Sequence, residues 1–229
     1  MFSVIFEARP RPDQWDAYFD KATALWPELS AVDGFIDNIR YRSLQREGWI
    51  LSLSNWRDEK AVVRWRTTEG HHIAQGLGRA EILADYRLRV GQIVQDTRVP
   101  EGHTLEEQRL DETRVGAATY LTMIDAVRPA EWGHTDNPAD CSLYLGLNPW
   151  AVGLVDWDVF DAVLQPGDLI LMLAWRDRES AERYEGMADL PLGARLRHVR
   201  IVRDYGISDR REAPQFYPAA AGTAAGGLR

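Results

Sequence analysis

The chain has a single cysteine, Cys141, among 229 residues. One thiol excludes an internal disulfide and any metal site built from several cysteines. No carboxylate-rich or His/Cys set shows metal-ligand spacing, so no metal is expected. No apolar run approaches the roughly 20 residues of a membrane span. The opening residues, Met1 to Glu7, lack a basic n-region and a long apolar stretch. They read as a strand rather than a signal peptide. Positive charge is not gathered into a stripe, and the net charge is -8. That argues against nucleic acid as a partner. These absences together predict a cytoplasmic protein.

Apolar material is ample, with 45% hydrophobic residues and nine tryptophans. It is also written twice. Ile50-Leu51-Ser52-Leu53-Ser54-Asn55-Trp56-Arg57-Asp58 is matched by Leu169-Ile170-Leu171-Met172-Leu173-Ala174-Trp175-Arg176-Asp177. Each is a short apolar run ending in Trp-Arg-Asp, followed by a helix-like stretch, so the chain reads as one unit duplicated. The first unit, residues 1–96, opens with a strand over 2–8. A helix follows with Trp15, Tyr18, Phe19, Ala22, Leu25, Trp26 and Leu29 at helical spacing, Asp13 as its N-cap, and Trp15 and Trp26 in the core. Strands over 34–44 and 49–56 come next. Asp58 then caps a second helix. A further helical piece runs over 71–86, and a strand over 88–94 closes the unit. This β-α-β-β-α-β order is ferredoxin-like. Residues 97–115 read as a charged linker, 116–206 as a degenerate second unit, and 207–229 as a tail with a disordered, Ala/Gly-rich end.

The two units are unequal. Trp56 and Trp175 lie 119 positions apart but Leu88 and Leu196 only 108, so the second unit is 11 residues shorter after Tyr184. The extra segment of the first unit holds His71, His72 and Arg79. On a strand, Asn55 shares a face with Leu51 and Leu53, while Ser52, Ser54 and Trp56 share the other. An Asn among leucines needs a partner if buried. It is either a donor to a substrate or a satisfied core residue. His71 is either a general base titrating near neutral pH or a histidine bonded to backbone. Cys141 reads as an inert buried thiol, and His103 and His134 as surface residues.

At Trp56-Arg57-Asp58-Glu59, Arg64-Trp65-Arg66, His71, Ala74-Gln75, Gly78-Arg79 and Ala84 to Val90, the first unit resembles the antibiotic biosynthesis monooxygenase family. The second unit resembles it through Trp175-Arg176-Asp177 and Arg200 to Gly206. The resemblance implies an α+β fold in which two tandem ferredoxin-like units form an intrachain dimeric α/β barrel, either a monomeric pseudo-dimer or a homodimer of it. It further implies a cofactor-independent monooxygenase of secondary metabolism, using O2 on a small aromatic or polyketide-like substrate. His71 is then expected as base, with Asn55 and Arg79 holding a developing oxyanion. Trp65, Trp56, His72 and Tyr86 are expected to bind substrate. Two rivals stand beside this. One is a heme-binding enzyme of the same fold, although Gln75 occupies the position of that branch's axial histidine and only His71 or His72 remain for iron. The other is a non-catalytic small-ligand-binding protein.

Overall fold

A computed structural model describes residues 1–133 and 136–214. The expected disorder at the end of the tail and the surface placement of His134 fall outside these residues. The first repeat comprises β1 (Phe2–Pro10), α1 (Trp15–Ala24), α2 (Trp26–Ser30), β2 (Phe35–Ser43), β3 (Ile50–Trp56), α3 (Glu59–Arg66), α4 (Glu69–Leu77) and β4 (Leu83–Asp96). The second comprises β5 (Tyr120–Val127), α5 (Pro138–Tyr144), β6 (Leu154–Ala162), β7 (Asp168–Trp175), α6 (Arg178–Glu185) and β8 (Arg195–Gly206). A π-helical turn, Gly78–Ile82, joins α4 to β4. The helix expected over 71–86 is therefore cut short, and Tyr86 sits on a strand. No helix stands between α6 and β8 among the described residues, which is where the shorter repeat lost its segment.

The eight strands close into one barrel in the order β1-β3-β2-β6-β7-β5-β8-β4. This is the ferredoxin-like pair, joined within one chain. The seams between the repeats differ. β4 and β8 pair along most of their length, whereas β2 and β6 share only Tyr41↔Ala162, Arg42↔Asp161 and Ser43↔Phe160. The long seam needs Gly91, because a Cβ there would lie 2.3 Å from Val199 Cγ1 and 2.7 Å from the Arg200 carbonyl. The short seam is reinforced by side chains. Arg42 reaches Asp161 at 3.0 Å, and Asp158 accepts from Ser43 Oγ at 2.9 Å and Arg46 Nε at 2.7 Å.

Strand alternation assigns each residue a side. Ile5, Leu51, Leu53, Leu121, Met172 and Val199 meet inside the barrel in one cluster. Phe2, Trp56 and Val90 pack outward with Ala61 and Val62 of α3, and Trp175 packs outward with Ala181 and Tyr184 of α6. The repeated Trp-Arg-Asp is thus scaffold. Each tryptophan is fully buried with its indole N–H satisfied, Trp56 by Ser54 Oγ at 2.9 Å and Trp175 by Thr122 Oγ1 at 2.8 Å. Each aspartate caps the next helix, Asp58 accepting from Ala61 N and Asp177 from Ser180 N. Cys141 is buried, and burial raises its thiol pKa.

Two further expectations are corrected. Helix α1 begins at Trp15 after Gln14 with no side-chain cap, so Asp13 does not cap it. Trp15 and Trp26 are 36% and 44% exposed rather than core. Residues 97–115, which link the two repeats, lie against the barrel. The Gln92 carboxamide accepts from the backbone N–H groups of Gln108 and Arg109, Arg109 pairs with Glu59, and Thr113 N–H bonds the Ile201 carbonyl. The segment is strapped across β4, α3 and β8.

One end of the barrel is plugged by charge. Arg46 bridges Glu7 and Asp158, each at 2.6 Å, and Arg89 also pairs with Glu7. Burial raises the Glu7 pKa, but Arg89 and Arg46 outweigh it and leave the value lowered. For Asp158 burial wins over Arg46, and its pKa rises from 3.8 to about 6. A carboxyl whose folded pKa exceeds its unfolded one contributes stability fully below the unfolded value and loses it as pH rises through the folded value. Urea unfolding of the wild type and Asp158→Asn should show the wild type gaining about 2 kcal/mol relative to the variant on going from pH 7.5 to 4.5. A difference that does not change with pH would remove Asp158 as the titrating group.

Candidate active site

A cavity of about 340 Å³ lies between the outer face of the first repeat's strands and its helices. Its counterpart in the second repeat is a space of about 30 Å³ beside His198, Tyr120 and Ala181. The asymmetry has a local cause. Register places Val4 and Val90 opposite each other in the first repeat, and both line the large cavity. The matching pair in the second repeat is Thr122 and His198. There the imidazole bridges Thr122 Oγ1 at 2.9 Å and Glu185 at 3.1 Å, so polar side chains fill the space.

The cavity floor is β1, β2, β3 and β4, with Val4, Phe6, Ser52, Ser54 and Leu88 facing in. Small serines on β3 leave room that larger residues would close. Its roof is α1, through Tyr18, Lys21 and Ala22, with Leu25 at its C-cap, and α3 and α4, through Trp65, His71 and Gln75. This explains why α1 buries no residue despite its apolar stripe: the stripe covers a cavity, not a packed core. Arg203, Tyr205 and Arg210 reach the rim from β8 and the chain beyond it. The site is therefore completed by the second repeat.

Of the expected residues, His71, Arg79, Trp65 and Tyr86 all line the cavity. His71 is stacked face to face on Trp65, with ring centroids 4.2 Å apart and planes 11° from parallel. Its Nδ1 lies 3.1 Å from the Trp65 carbonyl. A carbonyl only accepts, so Nδ1 carries the proton and Nε2 keeps the lone pair. Burial pushes the His71 pKa from 6.5 down to about 4, against the hydrogen bond to Trp65, which favours the charged form. The expectation of a base titrating near neutrality is thus corrected: the ring is neutral at pH 7 and holds a proton only weakly. Tyr86 accepts from Arg210 Nη1 through its hydroxyl.

Asn55, Trp56 and His72 are not at the cavity. Asn55 lies on the interior face with Leu51 and Leu53. It accepts from Ser3 Oγ at 2.7 Å and donates to Asp37 at 2.7 Å, which makes it the satisfied core residue rather than an oxyanion donor. Trp56 shares the outer face with Ser52 and Ser54 but is sealed beneath α3. His72 is exposed, turned from His71 by the roughly 100° step of a helix. Sequence reasoning missed Asn38 and Arg40, which line the cavity from β2. Period-two alternation put both on one face, and that was the available signal. No local signal pointed to Arg203, Tyr205 or Arg210.

At the position expected for an axial histidine stands Gln75, which lines the cavity with its amide 3.4 Å from His71 Nδ1. A carboxamide is a poor iron ligand. These residues do not fit a heme held from that position.

Six cations line the cavity: Lys21, Arg40, Arg66, Arg79, Arg203 and Arg210. Glu59 is the one carboxylate among the lining residues. In a chain of net charge -8 this is a local reversal of sign. With the aromatic faces of Phe6, Trp65, Tyr86 and Tyr205 it suits an apolar molecule bearing an ionised oxygen.

The family model described as "Antibiotic biosynthesis monooxygenase" matches residues 1–76. A protein of Pyricularia oryzae (strain 70-15) named "Jasmonate monooxygenase ABM" is 49% identical over 225 residues, spanning 96% of this chain and the whole of that protein. A solved structure of an aldoxime dehydratase, 14% identical, covers 87% of this chain and 80% of that one with a TM-score of 0.52, a likeness of fold.

Two measurements check these placements. A histidine whose folded pKa lies below its unfolded one contributes stability present above the unfolded value and lost as pH falls toward the folded one. Relative to His71→Gln, the wild type should lose about 2–3 kcal/mol of unfolding free energy between pH 7.5 and 4.5. A flat difference would mean that His71 is not desolvated. Asn55→Ala should lower stability by about 1–3 kcal/mol, through the unpaired Ser3 and Asp37, while KM stays within about threefold. A large change in KM at unchanged stability would return Asn55 to the site.

Proposed function

Because the chain belongs to the antibiotic biosynthesis monooxygenase family, we propose that this monooxygenase acts on a small, largely apolar carboxylic acid of the jasmonate type. The observation that carries the reading is the cavity's six cations against one carboxylate on otherwise apolar and aromatic walls. A jasmonate is an apolar ring ketone with a carboxylate arm, and the relative that bears its name aligns along nearly the whole chain. The wider aromatic or polyketide-like class of secondary metabolism presents the same chemistry, since a phenolate or enolate is also an ionised oxygen on an apolar frame. The barrel closes within one chain, so no second subunit is needed to complete the cavity. No described helix is long and apolar enough to cross a membrane.

In a monooxygenation one oxygen atom enters the substrate and the other leaves as water, taking up two electrons and two protons. A substrate oxidised from methylene to carbonyl supplies both electrons itself, whereas a single hydroxylation draws them from an added reductant. We take the chemistry to run without a resident cofactor. On this reading Arg79 and its cationic neighbours stabilise negative charge as it develops on the substrate. Neutral His71, its Nδ1 proton fixed on the Trp65 carbonyl, offers Nε2 as a hydrogen-bond acceptor. Trp65 and Tyr86 shape an enclosure that limits water.

Oxygen uptake by the purified protein, with and without ascorbate, tests the reading on jasmonic acid, its methyl ester and a polycyclic phenol. Uptake is expected with the acid and more weakly with the ester. Uptake with the phenol alone would move the substrate to the aromatic class. A Soret band after growth with heme precursors would replace cofactor-free chemistry with the heme reading, and ligand binding without uptake would favour the non-catalytic one.

A further inference from the structure

Five buried side-chain polar atoms among the described residues have no hydrogen-bond partner: Asn38 Oδ1 and the Nε atoms of Arg40, Arg89, Arg197 and Arg200. Three of these are readily understood. Arg89, Arg197 and Arg200 each pair with a carboxylate through Nη, with Glu7, Asp125 and Glu107 respectively, and none lines the cavity. Asn38 and Arg40 differ on both counts. They line the cavity from the same face of β2, two residues apart, and neither is held by a carboxylate among the described residues.

The chemistry of the two orphans is complementary. Asn38 Nδ2 donates to Ser52 Oγ at 3.0 Å and to the Leu53 carbonyl at 3.2 Å. A carbonyl cannot donate, so the carboxamide orientation is fixed and the orphan is an acceptor. The Arg40 guanidinium meets the Tyr18 hydroxyl, and its unmatched Nε is a donor on a cation whose charge is shared over three nitrogens. A buried polar atom without a partner is unfavourable, because it has given up water and gained nothing. Two of them side by side on a rigid strand, facing a cavity, form a polar fork that a ligand completes. Other lining cations are placed differently: Arg210 engages the Tyr86 hydroxyl, and Arg66 and Arg203 act with it on Tyr205.

We propose that Arg40, with the Asn38 carboxamide beside it on β2, is the subsite that grips the substrate's carboxylate and makes the enzyme select a free acid over its ester. Arg40 donates to a carboxylate oxygen. Asn38 Oδ1 accepts from a water that also donates to that carboxylate. The assignment rests on the acid-substrate reading above and adds which residue reads the acid.

The test is calorimetric binding of jasmonic acid and of its methyl ester to the wild type, Arg40→Gln and Arg40→Lys, with thermal melts to verify folding. The wild type should prefer the acid. Arg40→Gln should weaken acid binding roughly 10–100-fold, as loss of a charged hydrogen bond does, and leave the ester within about threefold. Arg40→Lys should restore part of the loss by returning the charge. In oxygen uptake with the acid, Arg40→Gln should raise KM and keep kcat within about threefold. Equal loss on acid and ester, or an acid preference that survives in Arg40→Gln, overturns the assignment. Equal wild-type affinity for acid and ester also overturns it but leaves the monooxygenase reading standing. Wild-type binding of neither ends both this proposal and the jasmonate-type substrate class.

Discussion

Closure of the barrel gives every strand an interior face that admits only side chains, and the rest of the structure follows from that constraint. The interior is filled by Ile5, Leu51, Leu53, Met172, Val199 and their neighbours, with the Glu7–Arg46–Asp158 bridge at one end. Side chains fill the interior, and the described cavity lies on the outer face, under the helices. Arg46 is central to closure because it ties β1 to β6 near the seam that has only three paired positions. Buried charges of this kind contribute little net stability compared with a well-packed apolar replacement, but breaking the pair is costly. Their contribution here is to fix how the two repeats meet.

On the outer face the two repeats have taken opposite courses. In the second, Thr122, His198 and Glu185 form a hydrogen-bonded chain, Tyr184 packs against Trp175, and little space remains. In the first, valines and serines occupy the sheet, α4 and its π-helical turn extend the roof, and a cavity results. A duplicated fold that needs two sheets to close its barrel needs only one site to work. Yet the second repeat still contributes chemistry, because β8 runs beside β4 and carries Arg203 and Tyr205 to the rim. The stacked pair Trp65 and His71 shows the same economy of position: backbone and indole together fix the tautomer and exclude water, and the lowered pKa is their consequence.

Much was legible in the sequence because it is written locally. The Trp-Arg-Asp repeat, the Asp58 and Asp177 caps and the missing segment of the second unit all follow from short-range pattern. So does the sharing of faces along β3, where Asn55 goes with Leu51 and Leu53 and Trp56 goes with the serines. What the pattern could not say is which face borders open space. Asn55 looked exceptional among leucines and was satisfied there by Ser3 and Asp37, partners 52 and 18 positions away. Asn38 and Arg40 looked ordinary on a polar strand and lie at the cavity.

The sequence alone thus determined the duplication, the element order and the alternation of faces, since hydrophobic periodicity and helix capping act over a few residues. Tertiary structure decided where the cavity lies, that α1 roofs it, that His71 is buried to neutrality and that β8 supplies cations to its rim. Those outcomes depend on strand pairing across the whole chain, and on whether side chains fill or fall short of the space between sheet and helix. Both are sums over distant residues that no local spacing encodes.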